Sequence, residues 1–370
     1  MRHDVSIKYQ GEGPMKLNGK KQWIGLFLTV IVIVAWVGVG LGVSAEIPKP
    51  GPAPGEKWPA TLVLEGGGAG SSSYIVVAAV GDAIKKDLGI VAQVKGGTPV
   101  PQVARLVHKG ESDIGMITSS VCYMAFQGLS AFKDNPATNL RAITYVTCSA
   151  EHFITWKNKG INSGADLKGK TVMGVNEGTA PGMDPIFGVL AANGLTPNDL
   201  KIKSFLGFNQ QFDFLNLRMG DAILMESGVA TAPLIESDRT QNLKFLSFTD
   251  KEIAAITKVP YWSPFTLPAG TYANGQPQAL RTVAMAVAYF ANINLPDSLV
   301  YQIEKILYDK PGRFVGAHKE WGQFDLAKAA TVRAAPYHAG AVKYFKERGL
   351  WDAAADKWQS ETLKKVGATK

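Results

Sequence analysis

Five short stretches of the chain combine glycine with hydroxyl-bearing residues, the combination that holds polar groups through backbone amides and side-chain oxygens. The first is Gly66-Gly67-Gly68-Ala69-Gly70-Ser71-Ser72-Ser73, followed by Tyr74. Glycine lets neighbouring N–H groups converge, and the N-terminus of a following helix adds positive potential, so such a loop is an anion cradle. Serine hydroxyls add donors and acceptors. Gly97-Thr98, Ser119-Ser120, Gly178-Thr179 and Ser227-Gly228 repeat the device. Each alone reads equally as a helix cap, because Ser and Thr are ordinary N-caps. Their recurrence after predicted strands points instead to one polar cleft. The candidate ligand-binding residues are therefore Gly70, Ser71, Ser72, Ser73, Tyr74, Thr98, Ser119, Ser120, Glu177, Gly178, Thr179, Ser227 and Gly228, with Tyr74 as a flat wall or hydroxyl donor.

The same residues speak against chemistry. The first loop lacks the Lys-Ser/Thr pair of a phosphate-binding P-loop, and it fits a dinucleotide fingerprint only if Ser71 replaces the last glycine. None of His3, His108, His152, His318 and His338 sits in a hydrolase or metalloprotease setting. Glu177 and Glu226 fall in candidate cleft loops, and paired carboxylates can do acid–base work; hydrogen bonding to a ligand ammonium, or plain solvation, is the preferred reading. Cys122 and Cys148 form no CxxC pair and have no clustered histidines, so no zinc site is expected. A disulfide between them and a pair of buried free thiols are both open. The expectation is a binding protein with no catalytic residues, no metal and no cofactor.

The elements that would position these loops follow a strand–loop–helix rhythm. Strands are expected at 61–65, 90–94 and 113–117, with helices at 74–88, 101–109 and 119–127. The rhythm restarts with strands at 171–175, 202–205 and 222–225, helices at about 183–193 and 208–219, and Ser227-Gly228 opening another helix. A strand-like run at 283–288 and a helix at 296–308 lead into a helical C-terminal region. This repetition argues for α/β architecture on a parallel sheet, and in open sheets of this kind ligands bind beyond the carboxyl ends of the strands.

The 370 residues are too many for one compact core, so two lobes are expected. The net charge of +8 is spread without basic stripes interleaved with aromatics, which leaves nucleic acid a poor partner. Residues 1–22 form a basic tail. Trp23 to Val43 carries no charge and is long enough to span a bilayer. Lys20 and Lys21 precede it, so the positive-inside rule puts the tail in the cytoplasm and everything after residue 45 outside. The segment 23–45 reads as a transmembrane anchor or as a signal peptide cleaved after Val43-Ser44-Ala45, with Met15 an alternative start. Residues 46–60, with five prolines, read as a stiff extended linker.

Several motifs in order resemble the TAXI family, the solute-binding subunits of one class of tripartite ATP-independent periplasmic (TRAP) transporters. They are Gly67-Gly68-Ala69-Gly70 with Ser73-Tyr74, Gly96-Gly97-Thr98, Gly110-Glu111-Ser112-Asp113-Ile114-Gly115, Asp166-Leu167-Lys168-Gly169-Lys170, Gly178-Thr179, Leu267-Pro268-Ala269-Gly270-Thr271-Tyr272, and Pro336-Tyr337-His338-Ala339-Gly340-Ala341 with Tyr344 and Glu347 to Leu350. The similarity covers about residues 61–351. It implies a two-lobed, type II periplasmic-binding-protein-like clamshell, a small carboxylate or amino acid bound between the lobes, and docking on a TRAP membrane permease. It gives His338 a structural role at the start of the final helix. The lobes are expected at 61–156 plus 283–370 and at 157–282. The chain departs from the family at Ile75, at Thr98-Pro99-Val100-Pro101, and at Glu177 and Glu226, where the family carries small residues; two acids near the cleft favour a ligand bearing an amine. The alternative function is a membrane-tethered extracytoplasmic ligand sensor.

Overall fold

The computed structural model describes residues 50–67, 72–309, 311–317 and 325–366. The expected tail and apolar segment at 1–45, together with Gly70, Ser71 and His318, lie outside the described residues. Among the described residues no helix is long and apolar enough to cross a membrane.

The first half of the chain alternates as the motifs require. β1 (Thr61–Glu65), α1 (Ser72–Leu88), β2 (Val91–Lys95), α2 (Val100–Lys109), β3 (Ile114–Thr118) and α3 (Ser119–Gln127) follow one another. Local chemistry sets their ends. Proline occupies the first turn of α2, where no N–H partner is lost, and Gly110 closes the helix at φ 75°, donating to the carbonyls of Leu106 and Val107. Thr118 caps α3 by accepting from the Val121 N–H.

A 17-residue strand, β4 (Leu140–Trp156), comes next; every residue of it is buried. The second α/β unit then runs β5 (Thr171–Asn176), α4 (Pro185–Ala192), β6 (Lys201–Phe205), α5 (Phe208–Asn216), β7 (Ala222–Gly228), α6 (Ala232–Thr240), β8 (Leu243–Leu246) and α7 (Asp250–Ile256). After β9 (Trp262–Leu267), the long β10 (Leu280–Asn292) returns, and α8 (Asp297–Asp309), α9 (Gly312–Val315), α10 (Ala339–Glu347) and α11 (Ala353–Lys365) complete the chain.

The strands join in the order β2-β1-β3-β10-β4-β7-β5-β6, with β8 on β4 and β9 on β10. This corrects the expectation of a parallel sheet. β1, β2 and β3 are parallel, as are β5, β6 and β7, but β4 and β10 run against their neighbours. The reason lies in connectivity: β4 carries the chain away from the first unit and β10 brings it back.

The core divides accordingly. One apolar cluster gathers residues between Leu62 and Ala150 and between Ala284 and Ala355, with Ala180 as an outsider. Two others take residues between Phe153 and Met285, and cover opposite faces of the second unit's strands: Phe153, Val172 and Leu224 on one side, Ile154, Met173 and Ile223 on the other. The result is a two-lobed, periplasmic-binding-protein-like α/β fold in which β4 and β10 run through both lobes.

Three further expectations change. Residues 50–60 are not a free spacer: Trp58 packs on the first lobe and its Nε1 donates to Ser298 Oγ at 2.8 Å. Ser227 and Gly228 do not open a helix; they end β7, and α6 begins at Ala232. His338 does cap a helix, accepting from the Gly340 N–H through Nδ1, but that helix is α10 and one more follows. Cys122 and Cys148 are both buried free thiols.

Candidate functional site

Parallel pairing brings the carboxyl ends of β1, β2 and β3 to one edge of the sheet. The turns after them meet there. Gly66, Gly67 and Ser73 follow β1, Thr98 follows β2, and Thr118 ends β3; all line one cavity of about 250 Å3. Thr147 and Ser149 on β4 and Val287 on β10 form its floor, and Gly228, Val229 and Thr231 close it from the second lobe.

Buried contacts fix these groups. Glu65, 1% exposed, accepts from Thr98 Oγ1 at 3.1 Å and from Ser112 Oγ at 2.8 Å. That spends the Thr98 proton, so Thr98 offers the cavity an acceptor. Gly96 is held so close that a β-carbon there would lie 2.6 Å from the Gly67 carbonyl and 2.7 Å from the Tyr74 ring. The β1 and β2 turns therefore touch only because residue 96 has no side chain. Thr231 Oγ1 is buried with no hydrogen-bond partner among the described residues, which leaves it available as a donor at the cavity wall.

A second, small cavity of about 40 Å3 lies beside the first and belongs mostly to the second lobe. Ser120, Thr179, Asn176, Tyr261 and Trp262 line it, together with three carboxyl groups: Glu151, Asp184 and Glu226. The two cavities adjoin through hydrogen bonds. Ser149, in the first, donates to Glu226, in the second; Thr118 and Ser120 share a hydroxyl contact of 3.1 Å.

Burial pushes the Glu151 carboxyl well above the usual carboxylate range, and the nearby Glu226 and Asp184 charges push the same way. Burial also raises Glu226, against the lowering pull of the Ser149 hydroxyl. Asp184 is raised by burial to about 7, although it accepts from the Asn176 N–H at 3.2 Å. A third cavity, of about 270 Å3, adjoins both and takes Ser119, Tyr145, Cys148, Tyr261, Lys328 and Arg333 into its walls.

The sequence candidates thus scatter. Ser73, Thr98 and Gly228 line the first cavity, Ser120 and Thr179 the second, and Ser119 the third, its buried Oγ without a hydrogen-bond partner among the described residues. Ser72 opens α1. Tyr74 stands behind the first cavity with its ring against Gly96. Glu177 and Gly178 are exposed; Glu177 accepts from Ser204 Oγ at 2.5 Å, and the Gly178 carbonyl accepts from Ser130 Oγ of the first lobe at 3.0 Å. Ser227 is buried and donates to its neighbour's carbonyl at 3.1 Å. Thr147, Ser149, Glu151 and Asp184 escaped the sequence reading. The signal was present in the alternation Thr147-Cys148-Ser149-Ala150-Glu151, which puts three polar side chains on one face of a strand.

The described histidines are committed elsewhere. His152, lowered to about 4 by burial, meets Tyr272 Oη at 2.9 Å and the Met225 carbonyl at 3.2 Å. His108 Nδ1 accepts from the Asn139 N–H at 3.2 Å.

The NMT1-like family model matches residues 64–349, and the chain belongs to the NMT1-like family. Among solved structures it is similar to the periplasmic aliphatic sulphonate binding protein SsuA of Escherichia coli, with 14% identity, 84% of this chain and 89% of that chain covered, and a TM-score of 0.43. It is also similar to an ancestral arginine-binding protein bound to arginine (16% identity, 72% and 99% covered, TM-score 0.43). A third is XAC2383 from Xanthomonas citri bound to ATP (12% identity, 82% and 100% covered, TM-score 0.46).

Proposed function

We propose that this member of the NMT1-like family is the extracytoplasmic solute-binding subunit of a TRAP-type secondary transporter of the TAXI class. It captures a small carboxylate or amino-acid-like solute between its lobes and passes it to a membrane permease. The observation that carries this reading is the cavity of about 250 Å3 at the carboxyl ends of β1, β2 and β3, walled by both lobes. A cavity of roughly 150 Å3 holds a benzene molecule, so this one suits a small organic solute. Its walls carry hydroxyls, among them Ser73 and Thr231 (unpartnered among the described residues), which can hold a carboxylate without a permanent counter-charge.

In this reading lobe 1 comprises 61–156 and 283–370, and lobe 2 comprises 157–282. β4 and β10 are then the crossings, and closing the lobes bends both. A solute that touches both walls favours the closed form, which is the form a permease recognises. The apolar segment 23–45 delivers the chain across the cytoplasmic membrane, as an anchor or as a signal that is removed. No step of chemistry is assigned to the site.

A thermal-shift screen of the purified full-length chain tests the reading. The panel holds amino acids, dicarboxylates, keto acids and sugars. A ligand at a hundredfold its dissociation constant should stabilise by about 2.7 kcal/mol, which shifts the midpoint by several degrees. Saturable stabilisation by an acid or amino acid supports the reading; silence across the panel, on folded and ligand-free protein, counts against it.

A further inference from the structure

We infer that the small cavity between Glu151, Glu226 and Asp184 seats a primary ammonium, so that the solute carries an amine as well as an acid. This rests on the solute-binding reading above and names the class of solute.

The strand register supplies the first argument. Glu151 on β4 stands directly opposite Glu226 on β7 in an antiparallel pair. Side chains so placed share a face of the sheet with β-carbons about 5 Å apart, and like charges there repel. Asp184, the residue that precedes α4, adds a third carboxyl to the same space. No Lys, Arg or His is among the described residues that line the cavity. Three acids therefore converge with no cation from the protein to balance them.

The second argument is independent of the acid count. Glu151 is 3% exposed, and its carboxylate accepts no hydrogen bond among the described residues. Its backbone carbonyl accepts from Thr282 Oγ1 at 2.5 Å. Glu226 and Asp184 each have a partner, Ser149 and the Asn176 N–H respectively. A buried acid left unpaired is costly, yet this one faces a void. A compact donor in that space would pair it.

Size and walls narrow the class. A water needs roughly 10–15 Å3 of such space, so about 40 Å3 admits an ammonium with its first methylene but not a second carboxylate. Tyr261 and Trp262 present aromatic surface to the same space, and Tyr123 steadies Tyr261 with ring centroids 5.7 Å apart. Aromatic faces attract cations. Burial raises all three acids above their ordinary range, so an ammonium that enters this space displaces a proton. The Ser149–Glu226 and Thr118–Ser120 contacts set the acid-lined cavity directly beside the hydroxyl-lined one.

The test compares matched ligands by calorimetry on the full-length protein. The probes are 4-aminobutanoate, 5-aminopentanoate and L-lysine against butanoate, pentanoate and hexanoate, with glutarate, ammonium chloride and sodium chloride as controls. The amino compounds should bind at least tenfold more tightly than their deaminated partners. Glu151→Gln should weaken the best amino compound by about thirtyfold, the usual loss when one partner of a buried charge pair is removed, while plain carboxylates change by less than about threefold. Asp184→Asn, which keeps its shape as the residue preceding α4, is the second variant should Glu151→Gln unfold. Preference for glutarate or pentanoate, unmoved by either variant, overturns the ammonium seat and leaves solute binding standing. Protection by sodium chloride equal to that of the amines overturns it in favour of an inorganic cation. Silence of every probe overturns it together with the reading on which it rests.

Discussion

Glu151 and Glu304 are both buried carboxyl groups with no ion pair among the described residues, and they differ in what surrounds them. Glu304 on α8 is 0% exposed, and neither oxygen has a hydrogen-bond partner among the described residues. It lies near Tyr308, Tyr337 and Tyr344, all in the packed core of the first lobe. Glu151 is nearly as buried, at 3%, but it borders a cavity and stands among other acids. Both carboxyls are held well above their ordinary range, Glu304 by burial alone and Glu151 by burial plus its acidic neighbours. Burial by itself therefore does not mark a site. An acid enclosed in a core keeps its proton and acts as a polar filler; an acid at the wall of a void can give the proton up when a cation arrives.

The comparison can be broken at its strongest point by placing a positive charge in the core. Glu304→Lys should cost about 4 kcal/mol or more of unfolding free energy, since no partner waits for the ammonium. Denaturant titration checks this. A loss below about 1 kcal/mol would mean that solvent reaches the inner face of α8, and the distinction would collapse.

A gentler change sharpens it. The folded chain holds the Glu304 proton, whereas the unfolded chain loses it above the ordinary value of 4.5. Native protein then binds more protons than unfolded protein, so stability falls as pH rises past that value. The slope from this one group is about 1.4 kcal/mol per pH unit until the folded group titrates. Glu304→Gln should remove the slope and raise neutral-pH stability by about 2 kcal/mol, read as the difference between wild-type and variant melts across pH.

The cleft should answer pH through ligand as well as through fold. Glu151 on β4, Glu226 on β7 and Asp184 before α4 face the small cavity, with the Tyr261 phenol, which burial holds high, as the other titratable wall. With Asp184 at about 7, affinity for an amine-bearing acid should rise from about pH 5 to pH 8, by up to about tenfold per unit while one proton is displaced. Deaminated acids should show no such rise. The smallest effect is expected from Ser149→Ala. It removes the donor to Glu226 and should weaken an amine ligand about fivefold, near 1 kcal/mol, with little change in melting temperature.

Much of the frame was legible because turn chemistry is local. β1 and α3 occupy the residues that the glycines and capping hydroxyls announce, and the turns after β1, β2 and β3 do meet in the cleft. β4 was not read as an element: all its residues are buried, and the polar alternation at 147–151 marks only part of its length. Glu177 and Glu226 look alike in sequence, each beside a small residue in a loop after a strand. Strand parity separates them, since Glu226 lies within β7 and faces Glu151, while Glu177 follows β5 and turns to Ser204. Asp184 was hidden because the helix was expected to start a residue before it, at Met183, whereas α4 begins at Pro185.

The placement of β10 also governs how the chain is born. β3 and β4 both pair along β10, which is synthesised only after the whole of the second lobe. Until Asn292 has left the ribosome, the central sheet of the first lobe lacks its middle strand, and β3 presents a bare edge. Pairings so distant in sequence form slowly, because a long loop must close first. A chain of this topology therefore cannot finish its first lobe until the segment that forms β10 has been made.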